Sequence, residues 1–294
     1  MNARLHSMYR PIQAAGRVAA YRYVEMMPSP FLKPFVACYW ASEPINSAED
    51  SSAAASFEAA VERVLPDACT DILFEHDLKD NRFRIRYCGM FDHPFPILYD
   101  EKRPVRKFGV RFFPGGAYPF IQTPLSEFAN RHLDLGLLWP QMAGEIGERI
   151  FQAASLDAKV RIMEHYLISA GTLTGEVQDS LMANLLYRIF ASKGTASVGE
   201  LAESELIGVR QLNRKFERYI GLSPKTFSQI VRFQTVIGDI VKSWETDWRY
   251  VALNRGFFDQ AHLIHDFHQF YGASPSVAAA EYRRMSDFYN PLRL

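Results

Sequence analysis

The sequence predicts an α+β protein with its strands in the N-terminal part and helices in the C-terminal part. Three observations carry this prediction. Short apolar, β-branched or aromatic runs separated by Pro, Gly, Asp and Asn occupy the chain as far as Phe113, the pattern of strands joined by turns. From Ser197 onward, apolar residues recur at three- and four-residue spacing, the period of a half-buried helix. With 294 residues and 48% hydrophobic content the chain can fill two cores, and its length favours two domains.

In the N-terminal part, strands are predicted at Phe35 to Trp40, Ile72 to Phe74, Phe83 to Cys88, Ile97 to Tyr99 and Lys107 to Phe113. The tract from Ser42 to Ser56 is rich in Ser, Ala and acidic residues and reads as a loop. Many short strands followed by helices suggest a β-barrel or sandwich. Between Pro140 and Gly171, Ile146, Ile150, Ala153, Val160, Met163 and Leu167 mark helices that pack on the sheet or on a second subunit. Thr172 to Gly175, small and polar with a glycine at its end, is the expected interdomain linker.

The C-terminal part carries two helix-turn-helix signatures in tandem, SVGELAESELIGVRQLNRKFERYIGLSP and DWRYVALNRGFFDQAHLIHDFHQFYGASP. Ser197 with Glu200 fits a capping box. Gly208 is expected to break the chain before a helix with Leu212, Phe216 and Ile220 on its buried stripe and Arg210, Asn213, Arg214 and Glu217 opposite. In the second copy Gly256 opens the turn, Asp259 is the expected N-cap, and Leu263, Phe267, Phe270 and Tyr271 form the stripe. Gln260, Ala261, Ile264 and His265 are left for a partner. Between the copies, Ser223 and Pro224 begin a helix expected to run to about Ser243, its apolar residues spread over more than one stripe. About twenty residues at ~1.5 Å each span roughly 30 Å, close to the ~34 Å between successive major-groove faces.

These residues resemble the AraC-type transcription regulators. The matching positions are Arg210, Leu212, Arg214, Phe216, Gly221, Ser223, Pro224, Arg232, Ala252, Gly256, Phe257, Asp259, Gln260, His262, Phe267, Gly272, Ser274 and Pro275. The resemblance implies a seven-helix domain at 176–294 whose third and sixth helices enter adjacent major grooves of double-stranded DNA. Contacts would come from Arg210, Asn213 and Arg214 in one head, beside which the cation Lys215 is a further DNA-binding candidate, and from Gln260, Ala261, His262, Ile264 and His265 in the other. The family often has Ser where this chain has Gly208 and Ala261, and Arg where it has His265. A mostly neutral histidine attracts phosphate less than arginine does, so the second head is expected to add less affinity. VLPDACTDILF, RPVRKFGVRFFPGGAYPFI and PLSEFANRHLDL are similar to the sensor half of one AraC subgroup, which implies a cupin-like barrel at 1–175.

Charge agrees with DNA binding only locally. The net formal charge of the chain is +0, and residues 176–294 hold 14 Lys and Arg against 13 Asp and Glu, a balance of +1. From Val209 to Arg232, however, Arg210, Arg214, Lys215, Arg218, Lys225 and Arg232 face the single acid Glu217, the local positive patch that phosphates require.

Enzymatic and metal chemistry find little support in the sequence. Metal-binding cupins carry a GxxxxxHxH motif, and no HxH occurs here; His76, His93 and His132 stand alone. His262, His265 and His268, three residues apart, sweep around a helix, so at most two adjacent members can share an ion. Cys38, Cys69 and Cys88 form no CxxC pair and suit a reducing compartment. No metal or cofactor is expected. Asp67, Asp71 and Arg111 are candidate anchors for a small organic effector, with turn capping and a salt bridge as the equal alternative. No apolar run approaches the ~18 residues of a membrane span, and Met1 to Arg22 has no signal-peptide core. The expectation is a cytoplasmic DNA-binding regulator, not an enzyme, with RNA polymerase and a second copy of the chain as further candidate partners. The rival reading is a cupin-type enzyme or ligand-binding barrel whose helical domain serves interactions.

Overall fold

The structure is a computed structural model that describes residues 2–12, 21–45, 60–100, 102–140, 142–170, 180–242 and 247–286. A short helix α1 (Asn2–Met8) precedes strands β1 (Tyr21–Met26), β2 (Val36–Pro44), β3 (Ala60–Val64), β4 (Thr70–Asp77), β5 (Arg82–Cys88), β6 (Phe95–Tyr99) and β7 (Val105–Phe112). The chain then forms one turn of helix α2 (Tyr118–Ile121), a 3₁₀ turn (Leu125–Phe128), strand β8 (His132–Asp134), helix α3 (Leu135–Leu138), a π turn (Met142–Ile146), and helices α4 (Gly147–Gln152) and α5 (Leu156–Ala170). Seven helices follow among the described residues: α6 (Ser180–Ala191), α7 (Val198–Ser204), α8 (Val209–Tyr219), α9 (Pro224–Lys242), α10 (Trp248–Asn254), α11 (Gln260–Tyr271) and α12 (Pro275–Ser286). The sheet-rich N-terminal part and helical C-terminal part are those the sequence predicts.

The strands form a six-stranded antiparallel sheet ordered β1-β2-β7-β4-β5-β8 and a two-stranded ribbon β3-β6. All five expected strands are present. Three more, β1, β3 and β8, extend the sheet edge, pair with β6, and border β5. Ser42 to Pro44, expected in a loop, continue β2, because Ser42 pairs with Lys107 of β7 and Glu43 with Arg22 of β1. Residues 46–56 of that tract, and the expected linker Thr172 to Gly175, lie outside the described residues.

Two apolar clusters organise the molecule. Tyr39, Ile72, Phe74, Tyr87, Phe108, Val110 and Phe112 from the sheet pack with Ile146, Ile150, Val160, Met163 and Leu167, so the helices after Pro140 turn these side chains onto the sheet. The second cluster crosses between the two parts. Leu5, Tyr9, Leu65, Ala68, Met90 and Phe113 join Met182, Leu186, Phe190, Phe216, Ile220 and Phe227. Tyr9 stacks on Phe190 at 4.6 Å, and Phe113 meets the same ring edge-on at 5.9 Å. The helical part therefore does not close its core alone.

Helix α9 lies at the centre of the helical part. Its Phe227, Ile230, Val231, Phe233, Val236, Ile237 and Ile240 are buried on more than one side, which explains their spread around the helix. Gln234, midway along, donates to the carbonyl of Pro66 at 2.7 Å and exchanges hydrogen bonds with the backbone of Ile12 at 2.8 and 3.0 Å. Its amide is thereby satisfied in a buried position where an unpaired amide would cost about 1–3 kcal/mol.

Candidate nucleic-acid interface

The first helix-turn-helix comprises α7 and α8. Ser197 caps α7 by accepting from the Glu200 amide at 3.2 Å, while the Glu200 carboxylate accepts from the Ser197 amide at 2.7 Å, the reciprocal box expected. Gly208 breaks the chain before α8 as expected, and Leu206 takes φ 55° in the turn ahead of it. Gly208 has φ −75° and is the N-cap of α8 without a side-chain cap bond. Glu205 ties the turn to α6, accepting from Arg188 Nε at 3.2 Å and Asn184 Nδ2 at 3.3 Å.

On α8, Leu212 and Phe216 are buried, with Phe216 edge-on to Phe227 at 5.7 Å. Arg210 and Arg214 are exposed on the opposite side, together with Gln211. Asn213 is half-buried and folds its amide back on the Val209 carbonyl at 3.0 Å. Lys215 lies with Nζ 5.2 Å from the Tyr219 ring centre. Two members of the expected positive patch are already engaged. Arg218 Nε donates to the hydroxyl of Tyr118, and Arg232 is buried on α9 against the second head. Placing Arg232 in the exposed patch is thus corrected: its position on the rod faces inward, which a charge count cannot reveal. Gln211 is a further candidate that charge and the family pattern do not single out: it is exposed in the first turn of α8, and a glutamine there can bond adenine bidentately.

The second helix-turn-helix is α10 and α11. Asp247 caps α10 by accepting from the Arg249 and Tyr250 amides at 2.9 and 3.4 Å. Gly256 adopts φ 70°, and a Cβ there would meet Thr195 Cγ2 at 2.7 Å, so both conformation and space call for glycine. Asp259 caps α11 through the His262 amide at 2.7 Å. Leu263, Phe267, Phe270 and Tyr271 are buried as expected. Ala261 and His265 are exposed, and Gln260, His262 and Ile264 are half-buried. The His262 ring is held: Nδ1 accepts from the Phe258 amide at 3.2 Å, so Nε2 carries the proton, 3.7 Å from Asp266 Oδ1. His265 Nδ1 lies 3.7 Å from the same oxygen, with four-fifths of its side chain exposed. No Lys or Arg occurs on α11. Positive charge at the exposed recognition faces thus belongs to α8.

The two heads are joined by α9, whose 19 residues correspond to about 28 Å at ~1.5 Å per residue. Arg232 Nη1 donates to the Gly256 carbonyl at 3.0 Å, and the guanidinium covers the Phe257 ring at 4.2 Å. Arg255 makes a two-pronged bond to Asp239 at 2.7 and 2.8 Å. Both contacts fix the second turn to the rod, so the distance between α8 and α11 is set by packing and hydrogen bonding.

In the N-terminal part, Asp67, Asp71 and Arg111 do come together. Asp71 and Cys38 stand opposite Arg111 on the strands either side of β7, and all three predicted residues are buried. Arg111 Nε lies 3.5 Å from Asp71 and 3.9 Å from Asp67. Asp71 also accepts from Trp40 Nε1 at 2.9 Å, and Asp67 caps its own turn through the Cys69 amide at 2.9 Å. Burial pushes the Asp67 carboxyl up to about 6, against the pull of Arg111. Burial likewise raises the thiols of Cys38 and Cys69 above the ordinary range, leaving them as protonated, inert side chains. A separate cavity of about 70 Å³ lies between the two parts, walled by Phe35, Phe113, Gly115, Met182, Tyr219 and Ile220. That is well short of the ~300 Å³ of a drug-sized site.

Residues 201–284 match a helix-turn-helix domain model, and residues 24–134 match a domain of unknown function, DUF6597. The C-terminal part thus holds a helix-turn-helix domain, joined in one chain to a DUF6597 domain. No curated protein sequence matches the chain significantly. Among solved structures it is similar to ToxT from Vibrio cholerae. An apo variant of ToxT from strain SCE256 has a TM-score of 0.40 at 10% identity, covering 91% of this chain and 99% of that one. Wild-type ToxT bound to an unsaturated fatty acid has a TM-score of 0.36 at 11% identity, covering 72% and 86%. No helix among the described residues is long and apolar enough to cross a membrane.

Proposed function

We propose that the chain regulates transcription by reading two adjacent major-groove segments of double-stranded DNA, with α8 as the dominant head. The observation that carries this is the pair of recognition helices set apart by a buried rod, with Arg210 and Arg214 exposed on the first. Arg210, Gln211 and Arg214 are positioned to bond bases or phosphates, and Ala261 and Ile264 to touch thymine methyls. Asn213 and Lys215 contribute on the same helix, and Gln260, His262 and His265 complete the second contact. The units 1–175 and 176–294 act as sensor and reader in the cytoplasm, without catalysis, and RNA polymerase and a second copy of the chain are the proposed protein partners.

The proposed control is a small organic effector acting through the N-terminal part, with Asp67, Asp71 and Arg111 as its polar anchors. Binding would shift the populations of DNA-competent and incompetent arrangements. A gel shift on genomic fragments at several salt concentrations tests the DNA reading. Arg214→Ala should cost ~1–3 kcal/mol at a base contact or lower the salt slope by about one at a phosphate. His265→Ala should cost less, and equal losses would overturn the ranking of the heads.

A further inference from the structure

The end of the first recognition helix is clasped by the N-terminal part. Tyr118, the first residue of α2, packs on Tyr219 with ring centres 4.2 Å apart and planes tilted by 40°, and its hydroxyl accepts from Arg218 Nε. The Arg218 guanidinium also lies 5.5 Å from the Tyr118 ring centre. Glycines let the backbones meet on either side of this contact. Gly115, at φ 79°, sits against the carbonyl of Tyr219 and the side chain of Ile220. Gly221, at φ 99°, faces the Leu125 carbonyl, where a Cβ would come within 2.9 Å. The segment from Gly115 to Leu125 therefore fixes the C-terminal end of α8 against the N-terminal part.

Arg218 belongs to the same stripe as the two exposed cations. Residues four apart on a helix are offset by about 40°, so Arg210, Arg214 and Arg218 follow one another along one side of α8. Arg218 is exposed to solvent, yet its guanidinium is committed to a phenol that belongs to the other domain. The hydroxyl and ring of Tyr118 together hold this guanidinium over α2, so swinging it onto a DNA phosphate means leaving that contact.

We propose that Tyr118 withholds Arg218 from DNA, so that the docking of the N-terminal part sets how many phosphates the first recognition helix neutralises. Release of Tyr118 frees one cation and steepens the dependence of binding on salt. This rests on the DNA-binding reading above and adds to it a gate made of two named side chains.

The test uses the full chain and a random-sequence duplex titrated at several salt concentrations. Tyr118→Phe removes the acceptor and keeps the ring, so the packing on Tyr219 survives. It is expected to steepen the slope of log affinity against log salt by about one. Arg218→Ala in the wild-type background should leave the slope unchanged, and in the Tyr118→Phe background it should abolish the gain. A Tyr118→Phe slope equal to wild type, or a loss of about one for Arg218→Ala alone, overturns the gate while leaving DNA binding intact. Absence of any DNA binding by the wild type would instead overturn the functional reading on which the gate rests.

Discussion

Arg232 Nη2 and Asp266 Oδ2 lie 2.7 Å apart, and both side chains are buried. One comes from the rod between the heads and the other from the second recognition helix, so the pair locks α11 to α9. Breaking a buried pair leaves an uncompensated charge, at a cost of about 3–5 kcal/mol. Arg232→Met or Asp266→Leu alone should lose that much in urea unfolding, and the double substitution should lose clearly less than the sum. Strict additivity would show that the two charges are not coupled.

Leu206 is 95% exposed and holds φ 55°, a conformation that costs an ordinary residue roughly 1–2 kcal/mol. Leu206→Asn should stabilise the chain by up to ~1 kcal/mol, because asparagine accepts that conformation. Leu206→Val, with its branched Cβ, should destabilise it by a similar amount. Urea unfolding of the two variants decides the matter, and equal effects in the same direction would contradict a backbone origin.

The isolated fragment 176–294 should fold but melt below the helical part of the full chain. Leu5, Tyr9 and Phe113 complete its core from the other side, and their removal exposes Phe190 and Met182. At ~25 cal/mol per Å² of apolar surface, even a modest interface is worth several kcal/mol. Circular dichroism melting compares the two, and an unchanged midpoint would mean that the shared cluster contributes nothing.

Asp67 gives a pH dependence with a definite sign. Its folded value, raised to about 6, exceeds the ordinary aspartate value of 3.8, so the folded state binds the proton more tightly than the unfolded chain does. The stability this contributes is fully present below 3.8 and is lost as pH rises through about 6. Between about pH 7 and pH 5 the wild type should therefore gain stability relative to Asp67→Asn, by at most ~1.4 kcal/mol per pH unit. Melting both proteins across that range checks it, and a constant difference would place Asp67 outside this linkage.

The helical part was legible because its signals are local. A capping box, an aspartate N-cap and four-residue stripes each declare themselves within one turn of helix, and Ser197, Asp259, Phe216 and Phe267 all stand where that logic puts them. The positive φ of Leu206 in the turn of the first head has no signal in the sequence, because a leucine there contradicts its own propensity. Long-range pairing was less visible. β8 is three residues long and exists because His132 to Asp134 find β5, and the edge strand β1 alternates without a strong apolar face. Arg232 and Arg218 read as cations of the same patch as Arg210 and Arg214, yet their tertiary partners Asp266 and Tyr118 set them apart. Residue type alone suggests Asp67, Asp71 and Arg111; the register of β4 with β7 sets Asp71 opposite Arg111, and the turn just before β4 brings Asp67 to them.

Hydroxyl-radical footprinting of the full chain on a selected genomic fragment tests the central claim most directly. One molecule should protect two segments on one face of the duplex, about 10 bp apart centre to centre. Arg214→Ala should weaken protection at one segment more than at the other, and Gln260→Ala should do the reverse. A single protected segment, or two that respond identically to both substitutions, would contradict a chain that reads DNA with two spaced heads.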